Sequence, residues 1–135
     1  MDGYSRGGHS KHSIKVHLVF VTKYRKKVFK SDRRANDVKQ FLYDAAQKYE
    51  HRIVQMETDE NHVHILLEYS PKISVSDVVR QLKQYSTYQM WIYHNVYLVN
   101  QYWKHKILWS DGYFACSIGQ VSQKIIEAYI QEQGQ

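Results

Sequence analysis

Apolar and polar residues alternate from Ile14 to Thr22 (Ile-Lys-Val-His-Leu-Val-Phe-Val-Thr), a period of two that predicts a β-strand. Ile14, Val16, Leu18 and Phe20 share one face, and Val19 and Val21 make the other face apolar too. Such a strand is expected near the centre of a sheet that is covered on both sides. The period then lengthens. Ala35, Val38, Leu42, Ala45 and Tyr49 recur at three- and four-residue steps and predict a helix of about twenty residues. Ser31 is its N-cap, with Asp32 in the first turn. Two strands follow, Arg52–Thr58 and His62–Tyr69, joined by Asp59-Glu60-Asn61, and Pro71, the only proline, ends the second.

Ser74 followed by Asp77 opens a second helix in the manner of a capping box, with Val75, Val78, Leu82, Tyr85 and Gln89 as its inward stripe. The aromatic-rich stretch from Tyr97 to Trp109 has no period that assigns it. Ser110-Asp111-Gly112 is a turn, Tyr113–Ile118 a last strand that Gly119 breaks, and Ser122 caps a terminal helix carrying Ile125, Ile126, Tyr129, Ile130 and Gln133. The order β-α-β-β-α-β-α predicts an α+β domain. Its plan is a ferredoxin-like or RRM-like antiparallel sheet, with two helices on one face and a further helix at the C-terminal end. Residues 1–12, rich in Gly and Ser, are expected to be a flexible tail, and 13–135 one domain.

Charge narrows the partners. Nineteen Lys+Arg against thirteen Asp+Glu leave a net +6 on 135 residues, which favours nucleic acid but also suits a basic enzyme. The single cysteine, Cys116, excludes an intrachain disulfide and a zinc site built from cysteines. No apolar run approaches a membrane span and the first residues lack a signal peptide's apolar stretch, so a cytoplasmic protein with no membrane partner is expected.

Two local patterns carry candidate chemistry. In Asn61-His62-Val63-His64-Ile65, strand alternation turns His62 and His64 the same way while Val63 and Ile65 point to the core. Two neutral imidazoles so placed can reach one ion; the same spacing also arises in a half-buried strand that merely exposes histidine to water. In the terminal helix, Tyr129 and Gln133 lie about one turn apart on one face. Gln offers a carbonyl oxygen to a cation, and a phenol can attack a phosphodiester and later leave. A tyrosine on an amphipathic helix is equally suited to packing.

The two patterns occur in order with further blocks: Val16-His17-Leu18-Val19-Phe20-Val21-Thr22-Lys23-Tyr24-Arg25-Lys26-Lys27, then Ser74-Val75-Ser76-Asp77-Val78-Val79, and Leu108-Trp109-Ser110-Asp111-Gly112-Tyr113 leading into Ile126-Glu127-Ala128-Tyr129-Ile130-Gln131-Glu132-Gln133. Together they make the chain resemble the small HUH-type single-tyrosine transposases of the insertion sequence 200/605 group, from about Ile14 to Gln133. The resemblance implies Tyr129 as the nucleophile, and His62, His64 and Gln133 as ligands of a divalent metal, Mg²⁺ or Mn²⁺. It implies as substrate single-stranded DNA with hairpins, cut and rejoined through a 5′-phosphotyrosine. It also implies a homodimer whose sheets join and whose terminal helices cross to complete shared active sites, with Gly119 as a candidate hinge. A non-catalytic binder of structured single strands, and a domesticated relative acting on dispersed genomic palindromes, are the alternative readings.

The chain departs from the group's pattern at Asn61, where an acidic residue is expected, and at Gln84-Tyr85, where a small Gly often appears. Lys23, Tyr24, Arg25, Lys26 and Lys27 are candidate DNA contacts, and Arg80 and Lys83, three apart on a helix, a second basic stripe.

Overall fold

The computed structural model describes residues 13–117 and 123–133. The tail expected over 1–12, Gly119 and the cap at Ser122 lie outside the described residues.

The alternating run forms β1 (Ile14–Val21), and two single turns of 3₁₀ helix follow at Lys23–Arg25 and Val28–Lys30. Helix α1 (Asp32–Lys48) begins where expected: the Ser31 hydroxyl accepts from the Arg34 amide at 3.3 Å. Strands β2 (Arg52–Asp59) and β3 (His62–Tyr69) form the hairpin. In α2 (Val75–Tyr93) the Ser74 hydroxyl accepts from the Asp77 amide at 3.1 Å, completing that cap. A third helix, α3 (Asn95–Tyr102), then β4 (Phe114–Ser117) and α4 (Gln123–Glu132) complete the described elements.

All three pairings are antiparallel and the strand order is β2-β3-β1-β4. Strand β3 lies between β1 and β2, which α1 connects; this is the split βαβ arrangement that the element order predicts. Val16, Leu18 and Phe20 of β1, with Val63, Ile65 and Leu67 of β3, pack against Val38 and Leu42 of α1 and Val78 and Leu82 of α2. The opposite face is covered along β1 by α4: Val19 and Val21 pack on Ile126 and Ile130, with Phe114 and Tyr129 at the border. That second small cluster explains why β1 is apolar on both faces.

Two expectations are corrected. Tyr49 lies beyond α1 and is exposed, and Ala46 takes the buried position. In α2 the buried stripe runs through Ser86, Met90 and Trp91 and leaves Gln89 at its margin, because α2 must also receive the segment leading to β4. Trp91 Nε1 donates to the Ile107 carbonyl at 2.9 Å, and Trp109 Nε1 to the Ser86 hydroxyl at 3.0 Å. The unassigned stretch from Tyr97 begins inside α3, whose eight residues bury only Leu98 and Tyr102, too few to write a helical period into the sequence.

Candidate active site

The site grows from the end of the β2–β3 hairpin. Because β3 alternates, His62, His64 and Leu66 face α4's side of the sheet, whereas Val63, Ile65 and Leu67 enter the core. The two imidazoles converge: His62 Nε2 and His64 Nε2 are 3.1 Å apart and the rings 4.9 Å between centroids. Asn61 Oδ1 accepts from His62 Nδ1 at 2.9 Å, which puts that ring's proton on Nδ1 and leaves Nε2 with its lone pair. His64 Nε2–H then donates to His62 Nε2. Burial, and for His62 the neighbouring His64, lowers both pKa values, opposed by Asp59 and, at His64, also by Glu57. Both rings are therefore neutral at neutral pH, the form that ligates a metal.

With the His64 proton moved from Nε2 to Nδ1, the pair can hold a divalent cation. Two nitrogens each about 2.1 Å from one ion, and about 95° apart at it, are about 3.1 Å from each other, the spacing seen between the two Nε2 atoms. Among the described residues no cluster of three or more His, Cys, Asp or Glu converges to hold an ion, so an amide oxygen, water or substrate must fill the remaining positions.

The groove around the pair is bordered by His17, Gln55, Glu57, Asp59, Glu127 and Gln131, among others. His17 comes from β1, which places it diagonally from His64, since His17 is opposite Leu66 and Val19 opposite His64. Glu57 and Asp59 lie directly across from His64 and His62. None of these three stands out by spacing, because only the strand register brings them to the groove.

Tyr129 and Gln133 do not line that groove. At about 100° per residue, Glu127 and Tyr129 fall on opposite flanks of the Ile126/Ile130 stripe. As α4 is docked, Glu127 and Gln131 face the histidines and Tyr129 faces β4. The Tyr129 ring lies 5.7 Å from Phe114, its hydroxyl is buried without a hydrogen-bond partner among the described residues, and burial pushes its pKa up to about 12. Gln133 sits by Gly112, its Oε1 3.6 Å from where a β-carbon on that glycine would be.

The basic run wraps the same end of the sheet. The Thr22 amide donates to the Asn61 carbonyl at 3.0 Å, the Phe29 amide to the Glu60 carbonyl at 2.9 Å, and Arg25 Nη1 to the Gln131 carbonyl of α4. Lys27 pairs with Glu60 at 3.7 Å, and Lys26 supplies a carbonyl to the Thr22 hydroxyl at 2.7 Å. Tyr24 and Lys23 lie at the surface, Lys23 Nζ being 5.4 Å from the Tyr24 ring centre. On α2, Arg80 is exposed and paired with Asp77 at 2.7 Å. Lys83 is turned inward: its Nζ donates to the Ser110 carbonyl at 2.9 Å and to the Gly112 carbonyl, and burial lowers its pKa to about 8.

This sheet, with helices on both faces, has the fold of known transposases. A solved structure assigned as a transposase from Deinococcus radiodurans R1 superposes with a TM-score of 0.80 at 28% identity, covering 89% of this chain and 90% of that one. A REP-associated tyrosine transposase solved bound to a REP hairpin shares the fold at a TM-score of 0.55 and 13% identity, over 96% of this chain and 68% of that one.

Family membership follows from sequence: the profile of IS200-like transposases matches residues 10–133, and the chain belongs to that family. The transposase for insertion sequence element IS200 of Salmonella typhimurium is 30% identical over 125 residues, 93% of this chain and 80% of the relative. The ISDra2 transposase TnpA of Deinococcus radiodurans is 28% identical over 122 residues, 90% of this chain and 85% of the relative.

Proposed function

We propose that this transposase binds hairpin-bearing single-stranded DNA and cuts and rejoins it through a 5′-phosphotyrosine on Tyr129, with His62, His64 and Gln133 holding Mg²⁺ or Mn²⁺. The observation that carries the reading is the converging Nε2 pair, 3.1 Å apart and oriented by Asn61, in a groove bordered by the helix that bears Tyr129. Bound there, a divalent cation would stabilise charge on a non-bridging phosphate oxygen.

Tyr129 Oη gives up its proton to solvent and forms the new bond to phosphorus. The bond from phosphorus to the preceding nucleotide's 3′ oxygen breaks, and that oxygen takes up a proton to leave as a 3′-OH. A second strand's 3′-OH then displaces the tyrosine, which leaves readily because a phenol's pKa of about 10 lies well below an alcohol's. No nucleotide cofactor is required. The +6 charge offsets part of the phosphate backbone.

In this reading the docked α4 is a resting arrangement, and the helix crosses to a second subunit to deliver Tyr129 and Gln133 to that subunit's histidines. Two features support such a movement. The helix is ten residues long and anchored chiefly by Ile126 and Ile130, worth about 1.5–3 kcal/mol each, against about 1–2 kcal/mol per residue for ordering its backbone. Its tyrosine hydroxyl also gives up water without gaining a partner among the described residues.

The test is to incubate the protein with end-labelled hairpin DNA and Mn²⁺ and resolve covalent adducts under denaturing conditions. An adduct that needs the metal and is lost in His64→Ala supports the reading. Cleavage that persists in excess chelator refutes the metal role, and hairpin binding with no adduct under any divalent cation refutes the chemistry.

A further inference from the structure

Two basic, aromatic segments that are distant in sequence form one surface beside the histidine groove. One is the turn Lys23-Tyr24-Arg25-Lys26-Lys27 after β1; the other is Trp103-Lys104-His105-Lys106 after α3. The Tyr102 hydroxyl donates to the Lys23 carbonyl at 2.9 Å and the Lys23 amide to the Leu108 carbonyl at 2.8 Å, while Thr22 bridges to Trp109. The Tyr24 ring lies 6.4 Å from the Tyr102 ring. Through Thr22, Phe29 and Arg25 the segment after β1 is hydrogen-bonded to Asn61, Glu60 and Gln131, so that side of the surface adjoins the groove.

What this surface presents is unusual for a small domain. Trp91 and Trp109 are 5% and 6% exposed, but Trp103 is 74% exposed and Tyr24 56%. Both sit at positive φ, 61° and 60°, as does Arg25 at 52°. Side chains other than glycine adopt that conformation only at a cost, so strained backbone here holds flat apolar rings in water instead of releasing them to the core. Around them, Lys23, Lys26, Lys104 and Lys106 enter no salt bridge among the described residues.

Exposed rings interleaved with uncompensated lysines match the chemistry of an unpaired strand, whose bases offer faces to stack and whose phosphates need cations. A duplex keeps those base faces covered.

We propose that Tyr24 and Trp103, with Lys23, Lys104 and Lys106, form a stacking platform for the unpaired bases of a strand whose phosphate lies at the His62/His64 groove. The proposal rests on the reading that the substrate is hairpin-bearing single-stranded DNA, and it assigns the platform to the bases beside the stem.

Trp103, the one exposed tryptophan of the three, is its own reporter. The full chain is titrated with a DNA hairpin carrying a short oligothymidine tail, with the same hairpin carrying an abasic tail of equal charge, and with the bare hairpin. Tryptophan emission and fluorescence anisotropy are read together. The expected result is quenching by the thymidine tail alone, absent in Trp103→Phe. Trp103→Ala should bind the tailed hairpin about tenfold more weakly and the bare hairpin unchanged, with Trp103→Phe close to the parent. Lys104→Ala with Lys106→Ala should lower the slope of log affinity against log salt by about 1.4.

Tight binding of the tailed hairpin with unquenched emission, and with Trp103→Ala unimpaired, overturns the platform and leaves the substrate reading standing. Failure to bind any hairpin form overturns both. A blue shift of Trp103 emission with rising protein concentration in the absence of DNA shows that a second copy covers the ring, and this too overturns the platform.

Discussion

Replacing Tyr129 by Phe should make α4 more firmly docked while abolishing covalent chemistry, two effects of opposite sign from one oxygen atom. The Tyr129 hydroxyl is buried with no hydrogen-bond partner among the described residues, and the ring packs on Phe114 at 5.7 Å, a contact that Phe keeps. An unsatisfied buried hydroxyl costs about 1–3 kcal/mol, and half-burial of the side chain places this one at the low end, about 1 kcal/mol. Because α4 can open without the domain unfolding, a melting curve can miss the gain. Hydrogen exchange of the amides of residues 124–132 reads it directly, and about 1 kcal/mol slows local opening roughly fivefold.

The tyrosine's raised pKa gives a second reading of the same contact. Burial penalises the phenolate, so with a folded pKa of about 12 and a free pKa near 10 docking of α4 is independent of this group below pH 10 and weakens as pH rises from 10 toward 12. The variant should lack this loss. Slower α4 exchange together with no DNA adduct is the expected outcome. Faster exchange in the Phe variant would mean that the hydroxyl has a partner after all and would refute the packing argument; an adduct that survives would refute Tyr129 as nucleophile.

Other perturbations follow from the site. Asn61→Ala removes the acceptor that holds the His62 proton on Nδ1, so Mn²⁺ affinity by calorimetry should fall about 10- to 100-fold, while Asn61→Asp should tighten it. Lys83 has its pKa lowered to about 8, so the unfolded chain binds the extra proton between about pH 8 and 10.5 and this lysine's contribution to stability rises with pH across that window. Denaturant titrations of Lys83→Met should lack that increment relative to the parent, and an identical pH dependence would contradict the burial argument. Gly112 is at φ +79°, with 3.6 Å of ordinary room for a β-carbon, so Gly112→Ala should cost about 1 kcal/mol, for conformational and not steric reasons, in the same titrations.

The resemblance to the transposase group rested on ordered sequence blocks, and the family profile over residues 10–133 bears it out. The elements were legible for a related reason: local chemistry sets them. Alternation marked β1 and β3, and Ser31 and Ser74 cap the helices that they were expected to cap. The His62/His64 pair was equally legible, since a strand sends residues i and i+2 to one side whatever surrounds it. Helix α3 was not, because it buries only Leu98 and Tyr102 and is held in place by hydrogen bonds from Tyr102 to a distant loop.

The sequence alone thus determined the strand–helix order, the apolar character of both faces of β1, and the pairing of two histidines on one strand. Tertiary structure decided what those features meet. Register brings His17, Glu57 and Asp59 around the histidines, and the rotation of α4 about its Ile126/Ile130 stripe turns Tyr129 toward Phe114 and away from the groove. Packing likewise turns Lys83 inward and leaves Trp103 in water beside a basic turn eighty residues earlier in the chain. Periodicity specifies which residues share a face, but the partner of that face is set by long-range packing, which no local spacing encodes.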